Sequence, residues 1–187
     1  MPESLVGEGL VIDEQLPVAW APGTTDEAGL ARLNVDNHQL LMADATLDEV
    51  RIHDVLKDES PALVHELQRL DYKLNLLLRL TAELAMRQNG LPQKRRVRLS
   101  ATGLVWPGED APEKGSTGLL MLYMNPALPQ PLKIAATASD ASQNGVPATL
   151  LQFTGLSESV VELIEKMIFR HHRRLVAGAR LAPNRPS

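Results

Sequence analysis

Residues 60–90 have the sequence SPALVHELQRLDYKLNLLLRLTAELAMRQNG, and this stretch decides how the rest of the chain is interpreted. Ser60 and Pro61 suit a helix start, because the N–H that proline lacks has no partner in the first turn. Asn89 and Gly90 favour a left-handed stop at the other end. No glycine or proline lies between these ends. We therefore predict one uninterrupted helix, about 43 Å long at about 1.5 Å per residue.

Leucines recur along this helix at alternating spacings of four and three residues. The predicted oligomerisation residues are Leu56, which extends the register upstream, and Leu63, Leu67, Leu70, Leu74, Leu77, Thr81 and Leu84. A 3.5-residue apolar repeat keeps one stripe facing a partner helix. Leucines beside the stripe widen it, which favours a homotetramer over a dimer. The alternative is a helix packed on its own domain, but too little other protein is left to cover it.

The remaining segments predict an α+β chain: a small antiparallel β-barrel with a C-terminal helix, plus long coiled-coil-forming helices. Capping boxes at Thr24 and Thr46 predict helix starts, and Gly178 predicts the end of the last helix. The expected organisation is N-terminal strands in the barrel (1–23), helical segments (24–59), the heptad helix (60–90), the barrel (91–156), the C-terminal helix (157–178) and a flexible tail (179–187).

Composition excludes several function classes. The chain has 187 residues, a net charge of −4 and only 3% aromatic residues, which argues against nucleic-acid binding. It has no cysteine, so disulfides and thiolate chemistry are excluded. The acidic start and the lack of a long apolar run predict a cytoplasmic protein without membrane insertion. No catalytic motif, metal-binding motif or cofactor-binding glycine loop is found, so we do not expect an enzyme.

A second informative stretch, residues 94–104, has the sequence KRRVRLSATGL. Alternation along a strand predicts that Val97 and Leu99 face a core, together with Ala101. The opposite, exposed face then carries Arg96, Arg98 and Ser100. This polar ridge ends at Gly103, where the backbone could approach a ligand closely.

These residues resemble the signature of PilZ domains, which is Asp or Asn, any residue, Ser, two residues and Gly. Ser100 and Gly103 match, whereas Arg98 occupies the first position. Residues 153–156 (FTGL) lead into a C-terminal helix, as in this family. The leucine-heptad insertion is similar to that of an atypical, tetramer-forming PilZ subgroup. The resemblance covers residues 91–170 as barrel and 30–90 as insertion.

The resemblance implies a regulatory protein of bacterial cyclic diguanylate signalling, acting on an unidentified signalling partner. Typical members also carry two arginines, separated by three residues, before the barrel. Here only Lys94 and Arg98 have that spacing, and they lie within the strand. Arginine has only donors, whereas Asp or Asn accepts hydrogen bonds from guanine, so we expect the usual nucleotide binding to be weak or lost.

Three other interpretations of this strand stay open. The protein could be a true receptor that binds cyclic diguanylate in a non-standard pose, through Arg95, Arg96, Arg98 and Ser100, with Gly103 at the end of the ridge. Alternatively, residues 94–98 form a solvated strand edge that discourages aggregation, or a contact for a partner protein.

Overall fold

The computed structural model of the protein describes residues 9–49, 60–125, 128, 130–142 and 146–181. Six strands and three helices follow one another in these parts of the chain. They are β1 (Ile12–Pro22), α1 (Glu27–Glu49), α2 (Pro61–Asn89), β2 (Lys94–Leu99), β3 (Gly103–Pro107), β4 (Thr117–Leu122), β5 (Leu132–Asp140), β6 (Ala148–Phe153) and α3 (Glu158–Leu181).

The strands form a closed antiparallel barrel in the order β1-β2-β3-β6-β5-β4. The barrel closes through β1, whose first half pairs with β2 and whose second half pairs with β4. Pro17 lies where the pairing changes sides, opposite Lys94. Proline has no N–H to donate. It is tolerated at this point because the strand needs no N–H donor there toward one of its two neighbouring strands.

The core lies inside the barrel and is closed by α3. Fully buried aliphatic side chains from the strands fill the interior, among them Leu99, Leu120 and Leu151. Helix α3 adds an apolar stripe at helical spacing, made of Val160, Ile164, Met167 and Ile168. The predicted α+β class, with an antiparallel barrel and a C-terminal helix, is confirmed.

Helix α1 is anchored on the barrel by a buried amide. Asn37 is 2% exposed, donates to the carbonyl of Lys133 (2.8 Å) and accepts from its N–H (3.1 Å). In this way the side chain extends the hydrogen bonding of β5. The helix runs without a break through Thr46, whose hydroxyl donates to the Ala43 carbonyl. The prediction that a new helix starts at Thr46 is therefore wrong.

Both ends of α2 lie where the capping residues predict them, whereas the C-terminal end of α3 does not. Ser60 accepts from the Leu63 N–H, and Gly90 has a φ of 68°, which is the left-handed conformation expected at a helix stop. In contrast, α3 continues past Gly178 to Leu181. Glycine weakens a helix interior but does not force an end, so this predicted end is wrong. Leu56 lies outside the described residues.

Candidate functional site

Helix α2 carries an exposed leucine face. Five leucines of the predicted repeat are largely exposed: Leu63 (44%), Leu70 (52%), Leu74 (59%), Leu77 (58%) and Leu84 (60%). At about 100° per residue they fall within about 80° of the helix circumference. Leu67, in the same register, is half-buried. The Thr81 hydroxyl donates to carbonyls of the preceding turn, such as that of Leu78 (2.9 Å).

Further leucines widen this face on both sides. Leu76, Leu78 and Leu80 are between 40% and 47% exposed. A soluble subunit rarely exposes a contiguous apolar surface of this kind unless another molecule covers it. We refer to the exposed leucines of α2 together as the leucine face.

Arg96 lies on the outer surface of the barrel, in an ion pair with β1. Its Nε and one terminal nitrogen donate to the two carboxylate oxygens of Asp13, at 2.7 and 3.1 Å. This hydrogen bonding and the adjacent negative charge raise the pKa of Arg96 above its ordinary value. The side chain is exposed, so water also competes for this pair.

Arg95 faces the opposite side of β2, toward the end of the barrel. Its guanidinium lies 5.3 Å from the centre of the Trp106 ring and forms an ion pair with Asp110. Trp106 belongs to the barrel core. Arg95 therefore covers one end of the core, and its charge is already neutralised by a carboxylate.

Arg98 is half-buried on the outer surface, between Asp13 of β1 and Val105 of β3. Within the described parts of the chain, no hydrogen bond or ion pair involves its side chain. With Arg96, Val105 and Pro107 it lines a shallow cavity of about 330 Å³.

Ser100 and Gly103 form a tight turn between β2 and β3. The Ser100 N–H donates to the Gly103 carbonyl (2.9 Å), and the Ser100 hydroxyl accepts from the N–H groups of Thr102 and Gly103 (both 3.2 Å). Ser100 is only 2% exposed. The predicted alternation is therefore wrong at this residue: β2 ends at Leu99, and the side chain turns inward to satisfy the turn.

Gly103 is explained by the neighbouring strand. A Cβ at this position would lie 3.0 Å from the backbone oxygen of Leu151 on β6. The absence of a side chain thus permits close strand packing.

The five residues predicted as a ligand site do not share one surface. Arg96 and Arg98 lie on the outer face, Arg95 covers the barrel end, and Ser100 and Gly103 stabilise a turn. Of the predicted polar ridge, only Arg96 and Arg98 lie on the outer surface, and Arg96 forms an ion pair with Asp13.

The structure also reveals a polar cluster that the sequence did not predict. Asp44 of α1 accepts from Asn125 (2.8 Å) and from Arg170 of α3 (3.0 Å). Beside it, His171 of α3 pairs with Glu14 of β1. Both pairs line a cavity of about 350 Å³ between β1 and α3. The only signal in the sequence is that positions 170 and 171 continue the buried stripe of α3 by one turn.

Within the described residues, no three side chains of the metal-binding types His, Cys, Asp and Glu converge. None of the helices in this part of the chain combines the length and apolar character needed to cross a membrane.

Comparisons with known proteins agree with the barrel and its helices. Residues 41–181 match the family model described as "Atypical PilZ domain, cyclic di-GMP receptor". A solved structure from Xanthomonas campestris is 26% identical, with a TM-score of 0.71 over 92% of this chain and 93% of that chain. That structure is described as a tetrameric PilZ domain self-assembled via an unusual helical bundle. Among curated protein sequences, none matches this chain significantly. Because the family model spans more than half of the chain, the protein belongs to the atypical PilZ domain family.

Proposed function

We propose that this protein is a non-enzymatic regulator of cyclic diguanylate signalling that assembles into a homotetramer through α2 and acts on a signalling protein partner. The observation that carries the proposal is the leucine face. The similar protein from Xanthomonas campestris, described as tetrameric through a helical bundle, supports the same assembly here.

The energetics of the leucine face favour association. Burying a leucine side chain contributes about 1.5–3 kcal/mol, and the five repeat leucines are roughly half exposed. Their burial contributes several kcal/mol per subunit, which can offset the cost of association. A face wider than one narrow seam also suits a four-helix bundle better than a two-stranded coil.

The assembly is tested by the mass in solution. Light scattering during size exclusion should give four times the subunit mass for the wild type. Leu70→Asp with Leu77→Asp should give the subunit mass, because four bundled copies would bury eight carboxylates without partners.

Tyr72→Asp with Asn75→Asp is the matched control. Both residues are exposed on α2 away from the repeat, so this variant adds the same charge but should remain tetrameric. A wild-type monomer, or an unchanged mass in the Leu70/Leu77 variant, contradicts the assembly.

We further propose that the usual mode of cyclic diguanylate binding is weak or lost in this member. The arrangement of the signature residues supports this. Arg98 replaces the acceptor at the first position, the Ser100 hydroxyl is used within its turn, and Arg95 is occupied by Asp110.

Calorimetry with micromolar cyclic diguanylate should therefore show no saturable heat. A micromolar or tighter complex that Arg98→Ala abolishes would instead establish a receptor with a non-standard pose. The nucleotide measurement is independent of the mass measurement, so either part of the proposal can fail alone.

A further inference from the structure

The cavity of about 350 Å³ between β1 and α3 has an apolar lining, and its volume is in the range of small-molecule sites. Leu16 and Met167 contribute buried side chains of the barrel core. Met124 is partly buried and packs against the same core. Leu91, two residues after the end of α2, also lines the cavity and is 43% exposed. The cavity therefore lies where α2 joins the barrel, and offers apolar surface to a ligand.

The two carboxylates in the described lining already have donors. Asp44 accepts from Asn125 and from Arg170. Glu14 is paired with His171. A cationic ligand would have to displace one of these contacts, so the lining does not favour a positive charge.

Lys94 is the cation in the described lining that no described carboxylate neutralises. It lies opposite Pro17 of β1 in the strand pairing, and both residues line the cavity. Its ammonium group can therefore pair with an anionic group of a ligand. A single negative charge is favoured over two, because Glu14 and Asp44 lie in the same lining and repel additional negative charge.

We propose that this cavity binds a small monocarboxylate with an apolar body. The carboxylate pairs with Lys94, and the apolar body contacts Leu16 and Met167. Arg96 and Arg98 line a different cavity on the outer face of the barrel. The inference is thus separate from the nucleotide binding and the assembly discussed above, and does not rest on either.

Octanoate is the probe, and its binding to the full-length protein is followed by the methyl resonances of labelled methionines. Met124 and Met167 line the cavity, whereas Met42 is exposed on α1 and lies outside it. Octanoate at millimolar concentration should shift the Met124 and Met167 methyl signals in a saturable way. The Met42 signal should stay unchanged.

Three related compounds test the ligand chemistry. Acetate keeps the carboxylate but lacks the apolar body, octylamine reverses the charge, and octyl phosphate adds negative charge. Each should bind at least about tenfold more weakly than octanoate, because each loses the apolar contacts, loses the pairing with Lys94, or gains repulsion from the two carboxylates.

Substitutions of Lys94 test the charge of the protein. Lys94→Gln should weaken octanoate binding about tenfold, because a charged hydrogen bond is lost. Lys94→Arg keeps the charge and should retain most of the affinity. Lys133→Gln is the matched control, since Lys133 is an exposed lysine on β5 that lies outside this cavity. All three variants should fold like the wild type, because both lysines are exposed.

The absence of a saturable shift at Met124 and Met167 would overturn the proposal. Equal binding by the wild type and Lys94→Gln would do so as well, and would place octanoate on another apolar surface, such as the leucine face. Octylamine or octyl phosphate binding as tightly as octanoate would also contradict it, because the site would then select a different charge.

Discussion

Leucines in the barrel and in α2 have opposite environments. Leu99, Leu120 and Leu151 are fully buried within one subunit, where α3 closes the interior. Leu74 and Leu84 are about 60% exposed. The barrel leucines are therefore buried by their own chain, whereas the exposed leucines of α2 would be buried by other copies in the proposed assembly.

This difference separates folding from assembly. Barrel stability should be independent of protein concentration, whereas any stabilisation from the leucine face should grow with it, because association acts by mass action. Measuring stability at several protein concentrations therefore distinguishes substitutions in the barrel core from substitutions in the leucine face.

The largest effect is expected in the barrel core. Leu151→Ala leaves a cavity in the barrel core and should lower the free energy of unfolding by about 2–5 kcal/mol. The loss should be the same at every protein concentration, as measured by urea denaturation. Leu74→Ala is the control and should have a much smaller effect in dilute protein. Equal losses in dilute protein would show that α2 is buried within the subunit.

The next largest effect is expected in how the Tm depends on protein concentration. The wild-type Tm should rise with protein concentration, whereas the Tm of the Leu70→Asp and Leu77→Asp variant should be constant, because its subunits no longer associate. The control variant at Tyr72 and Asn75 should behave like the wild type. A wild-type Tm that does not change over a wide concentration range would count against a reversible assembly.

A smaller effect is expected where α1 and α3 meet. Asp44→Ala removes the acceptor shared by Asn125 and Arg170 and should cost about 2–3 kcal/mol, because a mostly buried cation loses a charged hydrogen bond. Asp36→Ala, at an exposed position of the same helix, should change stability by about 0.5 kcal/mol or less. If the two variants lose the same amount, the Asp44 contacts do not stabilise the fold.

The smallest effect is expected at the outer surface of the barrel. Arg96→Ala breaks an ion pair that water and salt already weaken, so the Tm should stay within measurement error at moderate ionic strength. Arg95→Ala, which also loses contacts with Trp106 and Asp110 at the barrel end, should lower the Tm more. The reverse order would mean that Arg96, rather than Arg95, has the structural role.

Local patterns predicted what depends on neighbours along the chain. Ser60 and Gly90 marked the ends of α2, and the alternation of Val97 and Leu99 identified the inner face of β2. Two predictions from local patterns failed. The deviation of Ser100 follows from the turn to Gly103, and the continuation of α3 past Gly178 was not visible in the local signals.

The candidate site was predicted less well than the fold. Strand alternation correctly places Arg95 and Arg96 on opposite sides of β2. The ion pair that each arginine forms depends on carboxylates elsewhere in the chain. Asp13 comes from β1 and Asp110 from the loop after β3. The polar cluster around Asp44 joins residues more than 80 positions apart, and no spacing rule connects them.

By itself, the sequence determined that a long leucine-rich helix and a small barrel exist, because helix capping, apolar periodicity and strand alternation act over a few residues. Only the tertiary structure decided which charges are neutralised. The ion pairs depend on where β1 and the loop at Asp110 lie relative to β2, and closure of the barrel sets these positions.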